Sequence, residues 1–295
     1  MKDATLTLKS APDHRTILTI QDGVTIGGDT LLIVGGPCTV ENAEQMEQVA
    51  TALAAAPVQA LRGGVYKPRS SPYAFQGLGE AGLQILAEIR QRFHVPVISE
   101  VMAIDQIAPM VAYVDVLQVG SRNMQNFDLL KALGRIKTPV LLKRGLAATL
   151  EEFVMAAEYI LSHGNPNVIL CERGIRSFDP YTRNVLDLGA VVALKQLTHL
   201  PVMVDPSHAA GKRELVPALA RAAIAAGADG LIIECHPVPE ASVSDARQAL
   251  ALPDMVTLVE ILRPIAAAVG RRIGGEPSRE PQLTLIPMTG SGAAA

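Results

Sequence analysis

The chain has 295 residues, room for one large domain or two small ones. It is 49% hydrophobic with no Trp and only 3% aromatic residues, so its core must be built mostly from Leu, Val, Ile and Ala. With 26 basic against 29 acidic residues and a formal charge of −3, it lacks the positive field of a general nucleic-acid binder. The opening residues, MKDATLTLKS, hold no apolar stretch flanked by positive charge, and no apolar run approaches the length of a membrane span. Cys38, Cys171 and Cys235 are odd in number and far apart, the usage expected of a reduced, cytoplasmic protein rather than of a disulfide framework.

Residues 1–30 contain TLTL and RTILTIQDGVTIGG, which predict a short β-hairpin able to close the bottom of a barrel. From 31 to 265 one rhythm repeats: a short apolar run, a loop, then a helical stretch. The runs are LLIVGG, VQALR, VPVISE, VDVLQVG, TPVLLK, NVILCE, LPVMVD and GLIIEC, each too short for a helix and apolar on both faces, as a buried parallel strand must be. Between them lie amphipathic stretches such as NAEQMEQVATALAAA, GLQILAEIRQRF and KRELVPALARAAIAAG. Eight such units predict an α/β protein, a (β/α)8 TIM barrel over 31–270 with the hairpin as an N-terminal extension. No Gly-rich dinucleotide fingerprint follows the first strand, which argues against a nicotinamide-binding sheet. Residues 271–295, rich in Pro, Gly, Ser and Ala, are expected to form a flexible tail.

In such a barrel the active site lies where strands run into the loops that follow them. Those positions carry Cys38, Arg62, Glu100, Arg122, Lys143, Glu172, Arg173, Asp205, His208 and Glu234, with Lys67 and Arg69 in the loop RGGVYKPRSSPYAFQ and Asp245 beyond the last strand. Two chemical groups emerge. Cys38, His208, Glu234 and Asp245 offer sulfur, imidazole and carboxylate, which suits one divalent ion such as Mn²⁺, Fe²⁺, Co²⁺ or Zn²⁺ better than Mg²⁺. Arg62, Lys67, Arg69, Arg122, Lys143 and Arg173 would repel one another on one rim unless multiply charged anions sat among them, and phosphates are the natural candidates. Singly, each residue has an ordinary structural role: a small buried thiol, a helix-start Asp, half of a rim ion pair. Their convergence on one face does not. Cys171 and Cys235 are expected to point into the helical layer, by alternation along their strands.

The segments GGPCTVEN, LRGGVYKPRSSPYAFQGLG, VGSRNMQNF, PVLLKRG, ILCERGIRSF, VDPSHAAGKR and IIECHP followed by SD resemble, in order, the 3-deoxy-D-arabino-heptulosonate 7-phosphate (DAHP) synthases. The resemblance is to their compact branch, which is related to the 3-deoxy-D-manno-octulosonate 8-phosphate synthases. It spans residues 31–265 and implies a metal-dependent barrel enzyme that condenses phosphoenolpyruvate with erythrose 4-phosphate, the first step of the shikimate pathway. It implies metal ligation by Cys38, His208, Glu234 and Asp245, and phosphoenolpyruvate binding by Arg62, Lys67, Arg122, Lys143 and Arg173. Ser121 and Asp205 join the substrate-binding set, and Lys67, Pro68, Arg69 and Ser70 would hold the aldose phosphate. Lys67, Lys143, Glu100 and His208 are the catalytic candidates, with Glu100 and Lys143 handling the protons of the attacking water. A homo-oligomer, dimer or tetramer, is expected, with no nucleic-acid or membrane partner.

Gly35, Ser70 and Ser121 stand where the family usually has Ala, Thr and Ala, and none of these departures removes a charge or a ligand. The nearest rival is an octulosonate 8-phosphate synthase using arabinose 5-phosphate, whose aldose loop usually reads Lys-Ala-Asn-Arg rather than the KPRSS found here. A Schiff-base aldolase built on Lys143 would leave the Cys-His-Glu-Asp set without a role, and a sensor that has lost its chemistry is not called for. Only about 30 residues precede the first barrel strand, fewer than a folding unit of roughly 50 needs, which predicts no strong inhibition by Phe, Tyr or Trp acting on this chain alone.

Overall fold

The structure, a computed structural model, describes residues 2–21, 23–69 and 71–274. Eight parallel strands form a closed barrel: β3 (Thr30–Gly36), β4 (Ala60–Arg62), β5 (Val97–Val101), β6 (Val116–Val119), β7 (Val140–Lys143), β8 (Val168–Glu172), β9 (Val202–Val204) and β10 (Gly230–His236). Closure is the pairing of β10 with β3, in register from Gly230 opposite Leu32 to Glu234 opposite Gly36. The eight apolar runs of the sequence supply these strands, and the (β/α)8 expectation holds. Around them pack α1 (Ala43–Ala54), α2 (Glu80–Phe93), α3 (Ile107–Met110), α4 (Phe127–Leu133), α5 (Leu150–Ser162), α6 (Leu188–Leu197), α7 (Pro206–Ala210), α8 (Val216–Ala225) and α9 (Leu252–Ala268). Several of these start on side-chain caps: Asn42 accepts from the Gln45 amide, Asp187 from that of Ala190, and Thr149 makes a reciprocal box with Glu152. Among the described residues no helix is long and apolar enough to cross a membrane.

The strands' period of two divides the core in two. Leu31, Ile33, Leu61, Val97, Leu117, Leu142 and Val204 face outward into the helical layer. Leu32, Val34, Ala60, Ile98, Val116, Leu141, Ile169, Met203 and Ile232 face inward and pack on one another. Cys235 lies in the outer layer, as expected, but Cys171 does not: it packs inside the barrel, because β8 directs Ile169 and then Cys171 inward.

The N-terminal hairpin is β1 (Leu18–Thr19) against β2 (Thr25–Ile26), antiparallel. Its Leu18 and Ile26 join the inward cluster and plug the lower end, as the sequence suggests. The segment before it is pinned by Glu158 of α5, whose carboxylate accepts from the amides of Thr5, Leu6 and Thr7 and from both threonine hydroxyls. At the other end of the chain the segment expected to be a tail begins with order. Arg272–Ile273 (β11) pairs with Thr30 and Leu31, and Ile273 is buried. Residues 275–295 lie outside the described residues.

Candidate active site

Follow each inward series one step towards the strand's C-terminal end and the chemistry changes. Ala60 is followed by Arg62, Ile98 by Glu100, Val116 by Gln118, Leu141 by Lys143, Cys171 by Arg173, Met203 by Asp205, and Ile232 by Glu234. The barrel therefore stacks a polar layer directly on an apolar plug, and the polar layer floors a cavity of about 570 Å³ at the C-terminal mouth. Room for it is made by glycine: a Cβ on Gly120 would lie 2.1 Å from Glu100 Oε1, and one on Gly36, at φ +141°, would lie 2.2 Å from the Arg62 carbonyl.

Cys38, His208, Glu234 and Asp245 each present one donor atom, all within 4.8 Å of one another. Cys38 follows β3, His208 rides on α7, Glu234 ends the inward series of β10, and Asp245 sits in the loop beyond at φ +54°, a left-handed conformation that few residues other than Gly, Asn and Asp adopt. Asp205 caps α7 by accepting from the His208 amide, and its other oxygen lies 2.7 Å from His208 Nδ1. That contact fixes the ring with Nδ1 as donor, leaving the Nε2 lone pair 3.1 Å from Glu234 Oε1 and 3.8 Å from Cys38 Sγ. Burial holds the imidazole below its usual pKa, hence neutral. Glu234 Oε1 is buried without a hydrogen-bond partner. Two acceptor lone pairs facing each other, with a thiol and a second carboxylate alongside, fit a borderline divalent cation. Burial, then Glu234, pushes the Cys38 thiol up to about 12, so a cation would be needed to make it a thiolate ligand.

The cavity wall also carries Arg62, Lys67, Arg69, Arg122, Lys143, Arg173, Arg176 and Arg183, against the carboxyls of Glu100 and Asp245. Some of this charge is matched. Lys67 lies 3.0 Å from Asp245 Oδ2 and also donates to Cys38, Lys143 pairs with Asp205, and Arg62 lies 3.4 Å from Glu234 Oε1. Much of it is not. Arg62 Nε and NH1 are buried without a hydrogen-bond partner, and Arg173, 5% exposed, gives only a 3.4 Å bond to its neighbour's carbonyl. Among the described residues Arg69, Arg122, Arg173 and Arg176 have no carboxylate partner. Burial lowers the pKa of Arg173, and the field of Asp205 offsets this only in part. Burial also raises the pKa of Glu100, only partly offset by Lys67 and Lys143. Asp245 goes the other way: Lys67, then His208 and Arg183, outweigh its burial and keep it ionised.

Most residues picked from the sequence meet here. Pro68, Arg69 and Ser121 line the cavity, while Ser70 lies outside the described residues. Asp205, expected among the substrate contacts, is fully buried behind His208 and Lys143 and off the cavity wall. Glu172 faces outward, where Arg144 bridges it to Asp187. Gln118, Arg176, Arg183, Asn184 and Gln248 went unnoticed. Gln118 had a signal, being the one polar residue inside the strand run VLQV, but Arg176, Arg183 and Asn184 sit in the loop between β8 and α6, where no period points at a partner.

The model of the DAHP synthetase I family matches residues 15–269. A phospho-2-dehydro-3-deoxyheptonate aldolase of Thermotoga maritima is 46% identical over 258 residues, 88% of this chain and 76% of that protein. A crystal structure under the same name, also called DAHP synthase, from Thermotoga maritima superposes with a TM-score of 0.88 at 44% identity, covering 92% of this chain and 79% of the other. A 2-dehydro-3-deoxyphosphooctonate aldolase of Aromatoleum aromaticum is more distant, 34% identical over 257 residues, 80% of this chain and 91% of that protein.

Proposed function

The chain belongs to the DAHP synthetase I family, and on that premise we propose that its cavity condenses phosphoenolpyruvate with erythrose 4-phosphate to give DAHP and inorganic phosphate, the entry step to aromatic amino acids. The observation that carries this is one cavity in which a sulfur, nitrogen and oxygen cluster lies beside the buried Arg173, which has no carboxylate partner, and the buried Arg62, whose Nε and NH1 have no hydrogen-bond partner.

In this reading Cys38, His208, Glu234 and Asp245 hold a divalent ion of the Mn²⁺, Fe²⁺, Co²⁺ or Zn²⁺ kind. Bound there, the ion supplies Lewis-acid polarisation of the aldehyde oxygen. Arg62, Lys67, Arg122, Lys143 and Arg173 clamp the carboxylate and phosphate of phosphoenolpyruvate; Lys67, Pro68 and Arg69, which line the cavity, take the aldose phosphate, and Ser70, outside the described residues, is assigned to it from the sequence alone. Ser121 lines the same wall beside Arg122. Two anions held this way bring the enol carbon of one to the aldehyde carbon of the other, and the cations offset repulsion between them. As that bond forms, positive character develops at C2 of phosphoenolpyruvate and water adds there. Glu100, accepting a bond of 3.2 Å from Gln118, takes or returns the water's proton at its carboxylate oxygen. The resulting tetrahedral centre expels phosphate. Lys143, buried against Asp205, is placed to hold an anion or move a proton rather than to present a free amine.

The KPRSS loop favours the four-carbon sugar. Homo-oligomer formation, as a dimer or tetramer, belongs to the same reading and is supported by exposed apolar side chains at Phe178, Val185 and Val192. The test is phosphate release by Mn²⁺-reconstituted protein given phosphoenolpyruvate and each aldose phosphate in turn. Erythrose 4-phosphate should have the higher kcat/KM; a preference for arabinose 5-phosphate would assign the chain to the octulosonate reaction instead.

A further inference from the structure

We infer that Arg183, acting with Gln248, is a positioning residue for the metal-binding cluster, setting which carboxylate oxygens of Asp245 and Glu234 are turned towards Cys38 and His208. This rests on the reading of that cluster as a metal site. Arg183 NH1 lies 2.9 Å from Asp245 Oδ1 and 2.9 Å from Gln248 Oε1, so the two hydrogens of one nitrogen serve two acceptors. Because the amide oxygen of Gln248 is taken by Arg183, its NH₂ must face the other way, and Nε2 donates to Glu234 Oε2 at 2.6 Å. Arg183 thus takes Asp245 Oδ1 and Gln248 takes Glu234 Oε2; Glu234 Oε1 has no hydrogen bond, and Asp245 Oδ2 accepts from Lys67 and Cys38. These last two oxygens point towards Cys38 and His208. The same loop segment holds the third ligand: the amides of Arg183 and Asn184 bond to the carbonyls of Ala210 and Ala209, and Asn184 Nδ2 donates to the carbonyl of His208 at 3.0 Å. One short segment between β8 and α6 therefore reaches three of the four donors, from three different parts of the chain.

Partners of this kind, which orient ligands without touching the ion, alter metal affinity by about 10–100-fold when removed. Arg183 lines the cavity, so a direct substrate contact is the competing role. The two differ in what they move. Mn²⁺ binding to the full-length metal-stripped chain is measured by calorimetry for the wild type, Arg183→Met, Gln248→Leu and the double variant, with substrate KM values determined at saturating Mn²⁺. Positioning requires both single variants to bind Mn²⁺ about 10–100-fold more weakly. It also requires the double variant to lose little more than the worse single one, because both act through one link. KM for either substrate should then stay within about two-fold of the wild type, a difference small against a lost charge-assisted contact. Arg183→Lys should not restore affinity, since an ammonium on a shorter, flexible stem does not hold two hydrogens in the fixed plane that the guanidinium nitrogen gives them. In Co²⁺-loaded protein the d–d bands should shift in both single variants while the thiolate charge-transfer band from Cys38 persists. Unchanged Mn²⁺ affinity with a raised KM for a phosphorylated substrate would overturn the inference, as would fully additive losses. Gln248→Leu decides the matter alone if Arg183→Met does not fold. Failure of the wild-type chain to bind Mn²⁺ at all would instead sink the metal reading on which this rests.

Discussion

The two ends of the barrel are built from the same strands and solve opposite problems. At the lower end, among the described residues, no buried side-chain polar atom is left without a hydrogen-bond partner. The Glu158 carboxylate is surrounded by amides and hydroxyls of residues 5–7, Asp229 takes Lys195 and Arg271, and Leu18 and Ile26 stop the bore. At the upper end two guanidinium nitrogens of Arg62 and one carboxylate oxygen of Glu234 are buried without hydrogen-bond partners, the Nε2 of His208 faces that oxygen at 3.1 Å, and Asp245 holds an unusual backbone. An unanswered buried polar group costs about 1–3 kcal/mol, so the upper end is tolerable as a binding site and poor as architecture. Satisfied polar groups in this protein mark where it is held together; unsatisfied ones mark what it is for.

The sharpest way to break that contrast is at the metal cluster. Chelation should abolish turnover and Mn²⁺ should restore it. Cys38→Ala should lose both metal and activity, by about 10³-fold if the ion contributes several kcal/mol. Full activity in metal-stripped protein would show that the upper end is not organised around a cation. One step smaller are the anion contacts. Arg173→Ala should lower kcat/KM for phosphoenolpyruvate by about 10–100-fold, the value of a charge-assisted bond of roughly 1.5–3 kcal/mol. Arg69→Ala should act chiefly on the aldose phosphate. Steady-state kinetics with each substrate varied in turn separates the two, and equal effects of both variants on both substrates would undo the assignment. Neither change should lower the melting temperature much, because each relieves an unmatched charge.

The smallest effect on catalysis, and the complementary effect on stability, is expected at the lower end. Glu158→Gln should leave kcat intact and destabilise the fold by about 1–3 kcal/mol, measured by urea unfolding. Burial alone would raise the Glu158 carboxyl, but the amides and hydroxyls bonded to it hold its pKa below the usual value. A carboxylate depressed in the folded state stabilises fully above its unfolded pKa, about 4.3, and that stabilisation is lost as pH falls through the lower folded value. The wild type should therefore lose more of its margin than the variant between about pH 5 and pH 3. Identical acid-unfolding profiles would mean that the clasp on residues 5–7 carries no weight.

Residues at strand ends were legible because a barrel of known direction tells the reader where its mouth is. Arg62, Glu100, Lys143 and Glu234 each break an apolar run at its C-terminal end, and each proves to face the bore. Which face a residue takes within a run that is apolar throughout is harder, since both faces are buried and alternation leaves no trace. Cys171 shows this: NVILCE reads equally well in either register, and the true one is set by pairing with β7 and β9. Arg183 and Gln248 were illegible for another reason. They lie in loops, their neighbours are chosen by the closed fold, and an arginine in a loop carries no mark of whether it meets water, substrate or a ligand's carboxylate.

Because the hairpin stoppers the bore, the reaction takes place in a blind well. Both phosphorylated substrates, water, the released phosphate and the seven-carbon product must all pass the same doorway. Lys143 and Arg173 lie at the bottom, buried to 4% and 5% exposure, whereas Arg69 stands nearer the lip. A molecule seated on the deep pair can be walled in by one seated on Arg69, but not the reverse. On the proposed assignment, with phosphoenolpyruvate on the deep pair and the aldose phosphate on Arg69, the deep substrate should load before the shallow one. Excess of the shallow substrate should jam the empty enzyme, visible as inhibition by erythrose 4-phosphate that added phosphoenolpyruvate relieves.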